Sequence, residues 1–178
     1  SQFFPIYGPL GISVGLEISA EIDAAFGFDT AGIRQFAETG FENPLLILNG
    51  FYISDTENPD GSGLDVPELT FLGGLKAAAE LNLGIAKAYV GGGLFIEINF
   101  DLFDPNSDGK IRIAELIGNF ENEWRYGEAA LAPLAIFDVS GEIYAKLFAG
   151  LEINFVLFSV GFEFDINPQI TIMEFAMY

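Results

Sequence analysis

The stretch ISVGLEISAEIDAAFGF, from Ile12 to Phe28, decides the fold class. Apolar residues stand at every second position: Ile12, Val14, Leu16, Ile18, Ala20, Ile22, Ala24, Phe26 and Phe28. Between them come mostly small or acidic residues, Glu17, Glu21 and Asp23 among them. Successive side chains of a strand point to opposite faces, so this period predicts a ribbon with one greasy and one acidic side. Ordinary strands run roughly 5–6 residues. A run this long predicts either a bend at a glycine or an elongated sheet or barrel.

The same alternation returns over 75–89, 94–103 and 139–157, then over 160–166 with its parity shifted at Ser159. A one-residue shift marks a bulge or a tight turn. The triple glycine 91–93 predicts a hairpin turn, as does Asn49-Gly50 between the apolar runs 45–48 and 51–53. Two short helices are expected, one over 31–38 capped by Thr30 and one over 113–120. The fold class is therefore all-β, with long antiparallel strands in an elongated sandwich or barrel. IEINFDLF (Ile96 to Phe103) matches LEINFVLF (Leu151 to Phe158) at six of eight positions. This predicts a duplicated hairpin unit, about 75–103 and 139–158, within one domain spanning 1–178.

Composition narrows the chemistry. The chain has 26 acidic and 7 basic residues in 178, a formal charge of -19. It has no Cys and no His, which removes disulfides, thiolate nucleophiles, Ser-His-Asp catalysis and the usual zinc sites. A polyanion is repelled by phosphate backbones, so nucleic acid is not an expected partner, and divalent cations are the natural counter-charge. Yet half the chain is hydrophobic and the mean hydropathy is +0.38. Either the core is large, or neighbouring subunits cover part of the apolar surface.

One motif carries specific chemistry. DPNSDGKIRIAE, from Asp104 to Glu115, has the spacing of a twelve-residue EF-hand loop. Asp104, Asn106 and Asp108 supply oxygens at positions 1, 3 and 5, and Gly109 permits the turn at position 6. Lys110 offers its backbone carbonyl at position 7. Ile111 anchors the loop to the core, and Glu115 supplies two oxygens at position 12. The expected cofactor is Ca2+. Arg112, at position 9, cannot coordinate. The alternating flank before the loop predicts a strand there, giving a strand–loop–helix setting.

A second acidic stretch, Asp55 to Asp65, misses this spacing, with Pro59 where a ligand belongs, and reads first as a solvated loop, with a second weak ion site as the alternative. Trp124-Arg125-Tyr126 reads first as core packing with a snorkelling Arg, against a binding patch. The carboxylates Glu17, Glu21, Glu80, Glu97, Glu142 and Glu152 raise a glycosidase alternative. Their first reading is as the acids that keep a sheet face soluble, so no enzyme activity is expected.

The segments GFDTAGIRQF (27–36), NGFYISD (49–55) and DLFDPNSDGKIR (101–112) resemble parts of very large, repetitive secreted bacterial surface proteins of the adhesin kind. That resemblance implies an extracellular or cell-surface location and a structural role, with self-association or neighbouring modules as partners. Strand addition through a terminal run such as 169–177 is the expected route. A β-barrel that binds a hydrophobic ligand or lies in an outer membrane is the alternative. Aromatics spread along the strands, rather than gathered in two girdles, count against the membrane.

Overall fold

A computed structural model describes residues 1–126 and 136–177, excluding the side chains of 123–126. The Trp124-Arg125-Tyr126 patch therefore lies outside the described side chains. The chain is mostly β: β1 (Gln2–Tyr7), β2 (Leu10–Ile22), β3 (Ala25–Phe28), α1 (Ala31–Glu38), a 3₁₀ helix (Pro44–Gly50), β4 (Phe51–Ser54), β5 (Leu69–Asn82), β6 (Ala86–Leu102), β7 (Lys110–Arg112), α2 (Ile113–Tyr126), β8 (Phe137–Asn154), β9 (Ser159–Asp165) and β10 (Ile170–Met177). Seven strands form one sheet in the order β1-β2-β5-β6-β8-β10, with β9 also pairing β8; β3, β4 and β7 form a second.

Several turns fall where sequence reading did not put them. The 91–93 glycines make no hairpin; they lie inside the 17-residue strand β6. The real turn is at 83–85, where Leu83 N–H donates to the Ala86 carbonyl at 2.9 Å. Asn49-Gly50 is no hairpin turn either, because 44–50 is a 3₁₀ helix with Pro44 in its first turn and Asn43 capping Leu45 N–H. Gly50 is needed for close approach: a Cβ there would collide with Phe28 and the Asp29 carbonyl. The long first ribbon breaks at Asp23-Ala24 rather than at a glycine. Thr30 makes no side-chain cap; Asp29 does, accepting from Ala31 N–H at 2.9 Å. The parity shift at Ser159 is a tight turn in which Phe155 N–H donates to the Phe158 carbonyl. The second half of the internal echo thus leaves its strand at Asn154, whereas the first continues to Leu102.

Contacts divide the chain into two units. Ser1–Ala20, Phe71–Ile98 and Gly141–Phe175 make one, and Glu21–Thr70, Asn99–Ser140 and Ala176–Tyr178 the other. In the first unit the covered face of the sheet is the polar one. Leu16 and Ile18 of β2 are 78% and 83% exposed, and Leu75, Val90, Leu94 and Leu147 are exposed on β5, β6 and β8. The alternate positions hold Phe95, Tyr144 and Phe148, which are buried, with Lys and Glu threaded between them. The expectation that the acids solubilise an outer face is therefore reversed.

Ion pairs and rings close this face. Lys76 on β5 reaches Glu17 on β2 at 2.7 Å and Glu163 on β9 at 3.0 Å. Tyr89 on β6 also donates to Glu163, at 3.1 Å. Strands are spaced about 4.8 Å apart, so a flat sheet would hold the β2 and β9 backbones roughly 19 Å apart. One lysine meeting both carboxylates shows that the sheet curls with its polar face concave. Lys87–Glu152 and Lys146–Asp165 add pairs at 2.8 and 3.5 Å. Lys76 and Lys146 also lie over the Phe95 ring at 5.8 and 5.1 Å. Bare glycines make room for the rings: a Cβ on Gly74 would strike Phe95 across the β5–β6 pair, and one on Gly150 would strike Tyr89 across β6–β8.

This inversion predicts opposite costs on the two faces. Phe95→Ala is expected to lose about 3–5 kcal/mol, while Ile18→Thr stays within roughly 0.5 kcal/mol in dilute monomer. Urea unfolding of the two variants checks it.

Candidate metal centre

The candidate centre lies in the second unit and begins with β4 and β7. These pair antiparallel, Ile53 opposite Ile111 and Ser54 opposite Lys110. Asp55 N–H continues the pairing to the Gly109 carbonyl at 3.2 Å. Hydrogen-bonded and open pairs alternate along an antiparallel ladder. With Asp55–Gly109 bonded, Lys110 falls at an open position and its carbonyl faces away from β4, available to a ligand. Ile111, 1% exposed, pins the loop as expected.

Around this pin the loop is prearranged. Asp104 accepts from Asn106 and Ser107 N–H through Oδ1, at 3.1 and 3.0 Å, and from Gly109 N–H through Oδ2 at 2.8 Å. Asn106 Oδ1 accepts from Asp108 N–H at 2.8 Å, and Asp108 Oδ1 from Lys110 N–H at 3.0 Å. Glu115, in the first turn of α2, accepts from Arg112 N–H at 2.7 Å through Oε2, and its Oε1 meets the Asn106 amide. Gly109 takes a φ of 72° and Ser107 one of 55°. Asp104, Asn106, Asp108 and Glu115 are thus tied by hydrogen bonds into one loop, with β6 before it and α2 after it, but the carboxylates of Asp104, Asp108 and Glu115 do not converge within 4.8 Å of one another. α2 runs to Tyr126, past the expected end at residue 120. The oxygen donors fit a hard cation such as calcium.

Arg112 is engaged away from the centre. Its guanidinium grips Asp29 at 3.3 and 3.0 Å and the Asn49 carbonyl at 2.9 Å, and Lys110 Nζ reaches the same Asp29 at 3.3 Å. Burial disfavours charge on Asp29, but Arg112, the Ala31 N–H and Lys110 outweigh it and hold its carboxyl at about 2. The loop's two basic side chains therefore converge on Asp29, and Arg112 also reaches the loop acid Asp108 at 3.8 Å.

Those acids are more numerous than the loop alone supplies. Residues 56–65 form a hairpin closed by the Thr56–Asp65 bridge, with Glu57 N–H donating to the Leu64 carbonyl at 2.9 Å. It packs directly on the calcium-type loop: a Cβ on Gly61 would sit 2.9 Å from the Gly109 carbonyl. Asp60 turns outward and accepts from Ser62. Asp55 and Asp65 instead turn toward Asp101 of β6, one carboxylate oxygen of each lying within 4.8 Å of the others. The three line a cleft of about 480 Å3 together with Asp104, Asp108 and Asp138. Asp101 was not singled out in sequence, because it sits in an alternating strand; only the pairing of β6 brings it here.

Burial, then the charges of Asp65, Glu68, Asp101 and Asp104, push Asp55 up to about 8. Burial raises Glu68 to about 7, although Leu102 N–H, donating to it at 2.7 Å, pulls the other way. Burial, then Asp65 and Asp138, raises Asp101 to about 6.

Of the sequence-derived carboxylates of the other unit, Glu17, Glu80 and Glu152 line one cleft with Lys76 and Lys87, but among the described residues they form no cluster of three converging oxygens. Glu17 and Glu152 are in ion pairs, and Glu142 accepts from Gln169 and Thr171 at 2.6 and 3.0 Å. Glu80 is buried and accepts from Asn82. No protein family, curated protein or solved structure matches the chain.

The raised carboxyls give a pH dependence. Each binds a proton more tightly folded than unfolded, so between about pH 4 and 8 the folded chain holds more protons and its stability falls as pH rises. In chelator, melting scans are expected to show a lower midpoint at pH 8 than at pH 5. The difference should shrink in Asp55→Asn.

Proposed function

We propose that the chain is a calcium-stabilised structural module of an extracellular or cell-surface assembly, whose aliphatic sheet face is covered by copies of the same module. The observation that carries this reading is the reversed sheet: Leu16, Ile18, Leu75, Val90 and Leu94 face outward while the charged side chains close on one another. The strand order also ends at β1 and at β9 and β10, whose backbone edges accept further strands.

Calcium has two tasks here. In the loop Asp104 to Glu115 it adds to fold stability. A lone extracellular-type loop binds on the order of 10⁻⁴–10⁻³ M, and at a hundredfold excess the ion contributes about 2.7 kcal/mol. It also lowers the mutual repulsion of copies that each carry a formal -19.

Sedimentation velocity tests the assembly. Concentration-dependent association is expected in calcium, weaker in chelator, and lost in Leu16→Lys/Ile18→Lys without a lower melting temperature at high dilution. A chain that stays monomeric at high concentration with calcium defeats the reading. One observation favours a second reading: aliphatic-out, polar-in parity is also that of membrane barrels. Co-flotation with lipid vesicles, together with a need for detergent, would select it.

A further inference from the structure

We propose that Asp55, Asp65 and Asp101 form a second divalent-cation site, separate from the Asp104–Glu115 loop and suited to a calcium-sized ion. The three residues come from distant points of the chain: the end of β4, the close of the 56–65 hairpin, and β6. Oxygens no more than 4.8 Å apart leave some point within about 2.8 Å of all three, close to the 2.3–2.6 Å of calcium–oxygen bonds. A contraction of a few tenths of an ångström completes the contact.

A second observation points to a ligand. Asp55 is 5% exposed, yet its Oδ1 has no hydrogen-bond donor among the described residues. Asp101 Oδ1 lacks one as well. Glu68, 6% exposed and coupled to the same group, leaves Oε1 without a donor. Buried polar atoms are nearly always satisfied, and an unpaired buried carboxylate is costly. The basic side chains of the adjoining loop, Lys110 and Arg112, pair with Asp29 and Asp108 rather than with these three carboxylates. A doubly charged ion supplies the missing partner to several of these oxygens at once. An all-carboxylate donor set selects a hard ion. The uneven approach of three separate segments suits calcium, which tolerates irregular geometry, better than magnesium, which demands a near-ideal octahedron.

Equilibrium dialysis of the whole chain against calcium decides the matter. Two ions per wild-type chain are expected. Asp65→Asn and Asp55→Asn should each lose one, with affinity at that site falling at least tenfold, and Asp108→Ala should lose only the other. In chelator, Asp55→Asn should melt at least as high as wild type, since a carboxyl packed among like charges is gone, yet gain less on adding calcium. Asp65 is exposed, so its variant serves where Asp55→Asn does not fold. A wild type with a single ion that Asp65→Asn removes and Asp108→Ala leaves would uphold this site and refute the loop. Unchanged stoichiometry and affinity in Asp65→Asn, or a single ion abolished by Asp108→Ala alone, would overturn it.

Discussion

Lys76 lies between Glu17 of β2 and Glu163 of β9, and the curl of the large sheet depends on that contact. Partly exposed ion pairs contribute little stability one by one. Their effect here is geometric: one cation placed over Phe95 and Phe148 gathers carboxylates from strands that a flat sheet would hold far apart. Lys87 and Lys146 add single pairs between neighbouring strands of the same face. With the concave side filled by rings and paired charges, the aliphatic side is left facing out. An unusual hydropathy for so acidic a chain follows directly.

The second unit solves the same shortage of cations differently. Its two loop cations, Lys110 and Arg112, are drawn to Asp29, where they tie α1 to β7. Among the described residues no basic side chain pairs with Asp55, Asp65 or Asp101, and burial lifts all three above ordinary carboxylate values. An interior so poorly neutralised takes up either protons or metal. Burial and like charge act together on these carboxyls, and both favour their neutral form.

Strand parity and the Asp104 to Glu115 loop were legible because each rests on local spacing. Alternation over 12–22 has one structural outcome, and Gly109 at the sixth loop position has one steric reason. Which face would be covered was not legible. Parity divides residues into two sets, but only the pairing of β2, β5, β6 and β8 decides which set meets partners. The glycine signals failed for a related reason: Gly50 and Gly91 clear space for a neighbouring chain segment, and sequence cannot separate that need from a turn. Asp101 was hidden by distance, lying 36 positions beyond Asp65 in a strand whose partner is unknown until the sheet is assembled.

The rings laid over Gly74 and Gly150 bear on how such a chain can drift. Enlarging either glycine pushes an aromatic off its seat, and shrinking either ring opens a void over bare backbone. Each pair spans two strands, so viable histories pass through coupled exchanges rather than single ones. Residues far apart in the chain are thereby bound to one evolutionary fate, while the outward aliphatic positions remain free to trade among themselves.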